Sequence, residues 1–286
     1  MNLRALIIGI DSNIGKALAV YLRSNGWNVL GTTRRLQHSD NNTFYVDLEH
    51  EHTIYNITYE FDAIYSCAAI TNMDFCEQHP EISKRVNLDS QITLAQHCIN
   101  KTKSYIFLST AGVFDGSMPM RNTNDIPTPK CNYGYHKALT EQFLLGLSNN
   151  VTIVRTTKVL SADNKLINSW IDALSNNIYI EPFDDMTLAP VPIDMLVLLL
   201  TQIATNRSKP IVHISGKSDF LYSDLASLIA GRLGKPTSLI RSKSYLHAGL
   251  TSNTVFPYSS LDMSETTQHY GLQPLDIKNI LDAILK

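Results

Sequence analysis

The sequence predicts an α/β protein: a doubly wound parallel sheet with a smaller lobe formed by its later, C-terminal segments. Three observations carry this. Short apolar runs alternate with segments of helical periodicity as far as residue 156. The runs are continuously apolar, as strands covered on both faces are. Beyond residue 156 the rhythm breaks into a loop-rich stretch, 160–190, that contains EPFDDMTLAPVP.

Taken in order, RALIIG is strand one and 14–24 a helix with Ala17, Leu18, Tyr21 and Leu22 on one face. WNVLGTT is strand two, TFYVDL strand three and FDAIYSCAA holds strand four. Helical periodicity covers 80–100, SYIFLST is strand five, 133–147 is a helix and VTIVRT is strand six. Later, 192–205 reads as a helix that returns apolar surface to the core, and PIVHISG as a strand. A helix over 222–233 is ended by Gly234, and the tail mixes loops with a final helix. The large domain is therefore assigned to 1–158 with 190–215 returning to it, and the small lobe to 159–189 and 216–286.

Bulk properties narrow the function classes. The 286 residues are 44% hydrophobic, enough for a sizeable core. The formal net charge is -2, and no basic surplus argues for nucleic acid or an anionic membrane. Cys67, Cys76, Cys98 and Cys131 form no C-x-x-C pair and no zinc-like grouping with His, so reduced thiols and no metal are expected. The late apolar run MLVLLL is too short to span a bilayer, and the N-terminus has no signal-peptide pattern; a cytoplasmic protein is expected.

The loop GIDSNIG joins strand one to the first helix. A dinucleotide-binding turn needs glycines for a tight turn, for close approach of a pyrophosphate and for helix–strand contact. Gly9 and Gly15 fill the outer places, and Ser12 stands at the middle one. Serine is small and its hydroxyl can bond phosphate, while Asn13 and Ile14 begin a helix whose free N–H groups favour anions. A plain strand-to-helix turn with Ser12 or Asn13 as N-cap fits the loop equally. Strand two separates the two readings. An acid there accepts the ribose hydroxyl of NAD, but this chain has Arg34 and Arg35, whose forked donors suit a 2′-phosphate. NADP(H) is therefore the expected cofactor, with NAD(H) as the lesser choice. After strand three, Asp47 and Leu48 lie where an acid can bond an adenine amino group.

Tyr133 and Lys137 are four apart, on one face of the helix after strand five. Carbonyl reduction needs a proton for the oxygen. A tyrosine, normally of pKa about 10, can supply it if a neighbouring ammonium lowers that value. Lys137 is the expected neighbour, and Thr110, at the end of strand five, the hydroxyl that holds the carbonyl oxygen.

Together GIDSNIG, YSCAAITNMDFCEQHPEISKRVN, STAGVFDG, YGYHK, VRTTKV, APVPIDML and VHISG resemble an extended short-chain dehydrogenase/reductase, in family order over roughly 3–215. The resemblance is greatest to the dTDP-4-dehydrorhamnose reductase group of sugar-nucleotide enzymes. It implies a Rossmann-like domain, a nicotinamide cofactor, a nucleotide-sugar substrate bound by the smaller lobe, a role in surface-polysaccharide precursor synthesis and, as often in the family, a homodimer. It also implies that Thr110, Tyr133 and Lys137 form the catalytic triad. Ser66, Ala68 and Ala69 are then cofactor-lining residues, Asn87 a structural or relay asparagine counted with them, and Thr156 a cofactor neighbour. Thr71, Ala111, Gly112, Val113 and Thr157 fall on the substrate side.

Two departures stand out. Where the rhamnose reductases carry Asp-Tyr after the threonine, facing the sugar, this chain has Ala111 and Gly112. Where an Arg-Pro is typical near the C-terminus, it has Phe256 and Pro257. Without the Asp-Glu pair of the 4,6-dehydratases, water elimination is disfavoured. Other readings are a sugar-nucleotide epimerase and a cofactor-binding regulatory subunit similar to the methionine adenosyltransferase β-subunit. Of the remaining residues, His136 is expected to face solvent, Asp184 and Asp185 to belong to a polar loop over the cleft, and Trp27 to pack with strand two.

Overall fold

A computed structural model describes residues 3–249 and 252–284; the assigned domain ends at 1 and 286 lie outside them. The strands are β1 (Arg4–Ile8), β2 (Asn28–Thr33), β3 (Thr43–Tyr45), β4 (Phe61–Ser66), β5 (Thr102–Thr110), β6 (Val151–Thr156), the two-residue β7 (Val159–Leu160), β8 (Thr187–Leu188) and β9 (Val191–Pro192), and β10 (Ile211–Ile214). Among the described residues, seven of them form a parallel central sheet in the order β10-β6-β5-β4-β1-β2-β3. Ala5, Leu6 and Ile7 of β1 are fully buried, as continuous apolar strands in a doubly covered sheet must be. Strand order reverses at β1, which has β4 on one side and β2 on the other. Ligands of open α/β sheets bind at such a reversal, outside the carboxyl ends of the strands.

Helices cover both faces. Leu18, Ala19 and Leu22 of α1 (Asn13–Ser24) share one core with Leu196, Leu199, Leu200 and Ile203 of α7 (Ile193–Thr205). Trp27 is buried in that core too. On the other face, α4 (Ser90–Cys98) and α5 (Asn132–Leu147) contribute Leu94, Ala95, Cys98 and Leu144. After the short α2 (Met73–Gln78), the helix expected over 80–100 is α3 (Pro80–Lys84) continued into α4 through a π-turn, Arg85–Asp89.

The structure differs from the sequence reading in two places. The stretch read as loop-rich contains an eleven-residue helix, α6 (Lys165–Ser175), capped by Asn164, whose Oδ1 accepts from the Ile167 amide. Its Ile167, Trp170 and Leu174 build a separate core with Leu225, Ala226, Ile229 and Ala230 of α8 (Tyr222–Arg232) and with Ile277, Ile280 and Leu281 of α10 (Ile277–Ile284). The tail after 216 also does not stay with that second core. Met263 and Tyr270, at the two ends of α9 (Ser264–Tyr270), pack into the first core, and the Thr266 hydroxyl donates to the His213 carbonyl of β10 at 2.5 Å.

Candidate active site

At the carboxyl ends of β1, β2 and β4 lies a cavity of about 730 Å³. Gly9, Ser12, Asn13, Ile14, Arg34, Arg35, Asp47, Leu48, Ala68, Ala69 and Thr71 line it. Two glycines make its floor possible. Gly9 has φ +82°, and a Cβ on it would stand 2.9 Å from the Cβ of Ala68. A Cβ on Gly15 would stand 2.2 Å from the Gly9 carbonyl oxygen, so the loop can close on itself only with glycine there. Ser12 is the N-cap of α1, its Oγ accepting from the Gly15 amide at 3.0 Å. The cap uses a lone pair, so the hydroxyl proton can still be donated to an anion over the helix N-terminus. The capping and cradle readings of this loop are thus compatible.

Both arginines are exposed at the cavity rim. Arg35 Nε lies 3.9 Å from Asp11 Oδ2, which also accepts from the Thr33 hydroxyl at 3.1 Å. This loose, solvated pair leaves Arg35 available to another anion. Asp47 is partly committed, since its Oδ1 accepts from the Glu49 amide at 3.0 Å. Sequence reading missed Asp11, Thr33, Glu49 and Cys67, all of which line the cavity. The position of Asp11 inside the glycine loop was the available signal.

Two expected cofactor neighbours stand behind the cavity instead. Ser66 is buried and its hydroxyl donates to Gln91 Oε1 at 2.7 Å. Asn87, in the π-turn, is fully buried; its Oδ1 accepts from the Ile70 amide at 2.9 Å and its Nδ2 donates to the Ile70 carbonyl at 3.0 Å. Both side chains are occupied in holding the loop after β4, so they position the lining rather than form it.

Beside the sheet end, α5 carries Tyr133 and Lys137. Its first turn presses on the Ala111–Val113 turn: a Cβ on Gly134 would stand 1.9 Å from the Gly112 carbonyl oxygen. Tyr133 is buried among Ile70, Met73, Cys76, Cys131 and Phe256. Burial raises its pKa well above the ordinary value. Cys76 and Cys131 push the same way, and a hydrogen bond with Thr110 opposes them. Lys137 is also buried; its Nζ donates to the Leu108 carbonyl at 2.7 Å and sits 4.1 Å from the Phe107 ring centre. Burial pushes it down to about 7, against the opposing charges of Glu141 and Cys67. Desolvation is thus the dominant influence on both groups in the free protein, and the Lys137 Nζ donates to a backbone carbonyl.

Behind this pair lies a buried ion pair that the sequence did not reveal. Arg155 Nη2 stands 2.7 Å from Glu141 Oε2, its Nε donates to both carboxylate oxygens at 3.1 and 3.0 Å, and Ser109 donates to Oε1. On the expected substrate side, Thr71 is exposed, Ala111 half-buried and Gly112 buried beneath Met73. Val113 is fully buried with Phe114 and Leu261. Thr156 donates to the Thr157 carbonyl at 3.2 Å, and Thr157 is spent on a hydrogen bond to the Ala189 carbonyl. His136, expected at the surface, is buried with Nδ1 2.9 Å from Ser83 Oγ. Asp185 accepts from the Tyr245 amide at 2.9 Å. Among the described residues no group of His, Cys, Asp and Glu could hold a metal, all four cysteines are free, and no helix is long and apolar enough to cross a membrane.

Comparison with known proteins agrees with this arrangement. The family model described as RmlD substrate binding domain matches residues 3–286. The chain is 25% identical to the "Probable low-salt glycan biosynthesis reductase Agl14" of Haloferax volcanii, over 98% of this chain and 96% of that one. It is 24% identical to methionine adenosyltransferase 2 subunit beta of Bos taurus, over 84% of this chain and 75% of that one. A crystal structure of dTDP-4-dehydrorhamnose reductase from Bacillus anthracis, in complex with NADP, superposes with a TM-score of 0.87 at 20% identity, over 100% and 99% of the two chains. The chain belongs to the RmlD substrate binding domain family, within the extended short-chain dehydrogenases/reductases.

Proposed function

We propose that this protein reduces the keto group of a nucleotide-activated keto-deoxysugar, with NADPH as electron donor and Tyr133 as proton donor. The observation that carries the reading is the hydrogen bond between Tyr133 and Thr110 at the carboxyl end of β5, with Lys137 reaching the Leu108 carbonyl of the same strand, in a protein that carries a phosphate-fitting glycine cradle at the end of β1. Membership of the family makes it an NAD(P)-dependent oxidoreductase. The cradle fits such a cofactor: Gly9 and Gly15 have no room for side chains, and the first turn of α1 offers its amides. Bound there, the cofactor supplies a hydride. Tyr133 gives its phenolic proton to the carbonyl oxygen, so one hydride and one proton convert ketone to alcohol. Thr110 holds that oxygen by a hydrogen bond, and Lys137 favours the phenolate left behind.

Consumption of NADPH with a 4-keto-6-deoxy sugar nucleotide tests the reading. Isomerisation without net NADPH consumption would favour an epimerase. A stoichiometric partner enzyme with no turnover would favour a cofactor-binding regulatory subunit.

Two outcomes are expected at the cradle. Exchanging Arg34 and Arg35 together for alanine should lower the NADPH-over-NADH ratio of kcat/KM by about 10- to 100-fold, since hydrogen bonds to charged groups contribute about 1.5–3 kcal/mol. Steady-state kinetics with both cofactors reads it. Ser12→Gly should leave NADPH affinity nearly unchanged, because glycine replaces a serine cap at a cost of only about a few tenths of a kcal/mol. Ser12→Leu, which fills the cradle, should abolish binding in a fluorescence titration.

A further inference from the structure

Asp11 stands inside the glycine loop, at none of the places that a dinucleotide-binding turn requires, and lines the cofactor cavity together with Arg34 and Arg35. The loop lies tight on β2. The Gly9 amide donates to Thr32 Oγ1 at 3.0 Å, and the Ile10 amide to the Thr32 carbonyl at 3.0 Å. A Cβ on Gly31 would stand 2.5 Å from the Cβ of Ile10, so glycine in β2 lets the two segments meet.

This contact delivers the Asp11 carboxylate to the end of β2. Thr33, the last residue of that strand, donates its hydroxyl to Asp11 Oδ2 at 3.1 Å and accepts from the Arg35 amide at 3.1 Å. Arg35 Nε is 3.9 Å from the same carboxylate oxygen. Both contacts fall on Oδ2, and a carboxylate has a second oxygen with acceptor capacity of its own. The Asp11 side chain is 26% exposed, open enough to meet a ligand in the cavity.

A carboxylate near the end of the second strand accepts from the ribose 2′-hydroxyl of NAD. β2 carries none there, because Arg34 follows its last residue. The glycine loop therefore supplies, from outside the strand, the acid that the strand omits. The charge of Asp11 opposes a 2′-phosphate, whereas the guanidinium of Arg35 attracts one. The two groups pull the choice of cofactor in opposite directions from a single contact.

We propose that Asp11 is a specificity-determining residue for the cofactor: it accepts from the ribose 2′-hydroxyl of NAD(H), restrains Arg35, and so keeps NAD(H) usable beside NADP(H). The inference rests on the reading of the cavity as the nicotinamide-dinucleotide site.

The test is calorimetric titration of the full chain with NADPH and with NADH, which needs neither a sugar substrate nor turnover. Asp11→Asn keeps the size of the side chain and an acceptor for Thr33 but removes the charge. It should weaken NADH and tighten NADPH, raising the NADPH-over-NADH affinity ratio by about 10-fold or more, the scale of one hydrogen bond to a charged group. Arg35→Ala should cost more NADPH affinity in the Asp11→Asn background than alone, because the released guanidinium is then free for the phosphate. Asp11→Ser, also small and uncharged, gives the same reading if the thermal midpoint shows that the asparagine variant does not fold. An unchanged or lowered ratio, or an NADH affinity that the substitution leaves intact, overturns this inference and leaves the NADPH reading standing. Binding of neither cofactor by the original chain overturns both.

Discussion

Tyr133→Phe is expected to lower kcat/KM for ketone reduction by about 10²- to 10⁴-fold, the usual contribution of a positioned proton donor. The substitution removes one hydroxyl and leaves the ring among Ile70, Met73, Cys76, Cys131 and Phe256, so cofactor affinity and thermal midpoint should hold near their original values. In the free protein burial keeps the phenol protonated at neutral pH, so the donor is loaded before substrate arrives. Lys137 sets the alkaline limit. Its pKa is depressed to about 7, so its charge is present below that pH and lost as pH rises through it. A neutral amine cannot favour the phenolate that forms, and kcat/KM, which reports the free enzyme, should fall as pH rises above about 7. Steady-state rates of NADPH consumption across pH measure both effects. A Tyr133→Phe protein within a few-fold of the original rate would remove tyrosine from the proton-donor role.

The largest expected effect on stability comes from the pair behind the site. Glu141→Ala should destabilise the fold by about 3–5 kcal/mol, because it strands a buried guanidinium. Glu141 and Arg155 are each about 2% exposed. The other neighbour of Arg155 cannot compensate: His213 Nε2 lies 3.4 Å from Nη1, and burial and the guanidinium itself hold this imidazole at about 4, neutral near pH 7. A loss of that size is a large share of the roughly 5–15 kcal/mol that stabilises a typical domain. Replacing both partners together, Glu141→Leu with Arg155→Met, should recover most of it, since apolar side chains of similar volume need no counter-charge. Equilibrium unfolding in urea measures both variants, and a Glu141→Ala midpoint equal to the original would exclude the buried-charge account.

What the sequence disclosed and what it hid divide along sequence distance. Gly9, Ser12 and Gly15 were legible because a strand, a turn and a helix follow one another directly, and the Tyr133–Lys137 spacing because four residues make one helical face. The interior of β1 was legible from its unbroken apolar run. The helix α6 was hidden although Ile167, Trp170 and Leu174 follow helical spacing, because the Pro- and Asp-rich segment after it dominated the wider window. His136 looked solvent-facing because its partner Ser83 sits 53 positions away on another helix. Spacing places two side chains on one face but does not report the desolvation that the sheet imposes on both. Ser66 and Asn87 were placed in the correct region, yet their depth behind the cavity depends on Gln91 and Ile70, contacts that no local pattern contains.

The route of the chain between its two cores limits how such a protein can be recombined with its relatives. After β6 the chain supplies α6 to the second core, returns through α7 and β10, leaves again through α8, comes back at α9 and ends in α10. The second core is thus an interleaved set of segments rather than an appended module. A chimera that exchanges specificity between relatives must transplant several discontinuous segments and preserve every crossing. A graft at one junction after Ile214 would carry Met263 and Tyr270 along, and so would replace part of the first core with residues selected against a different sheet.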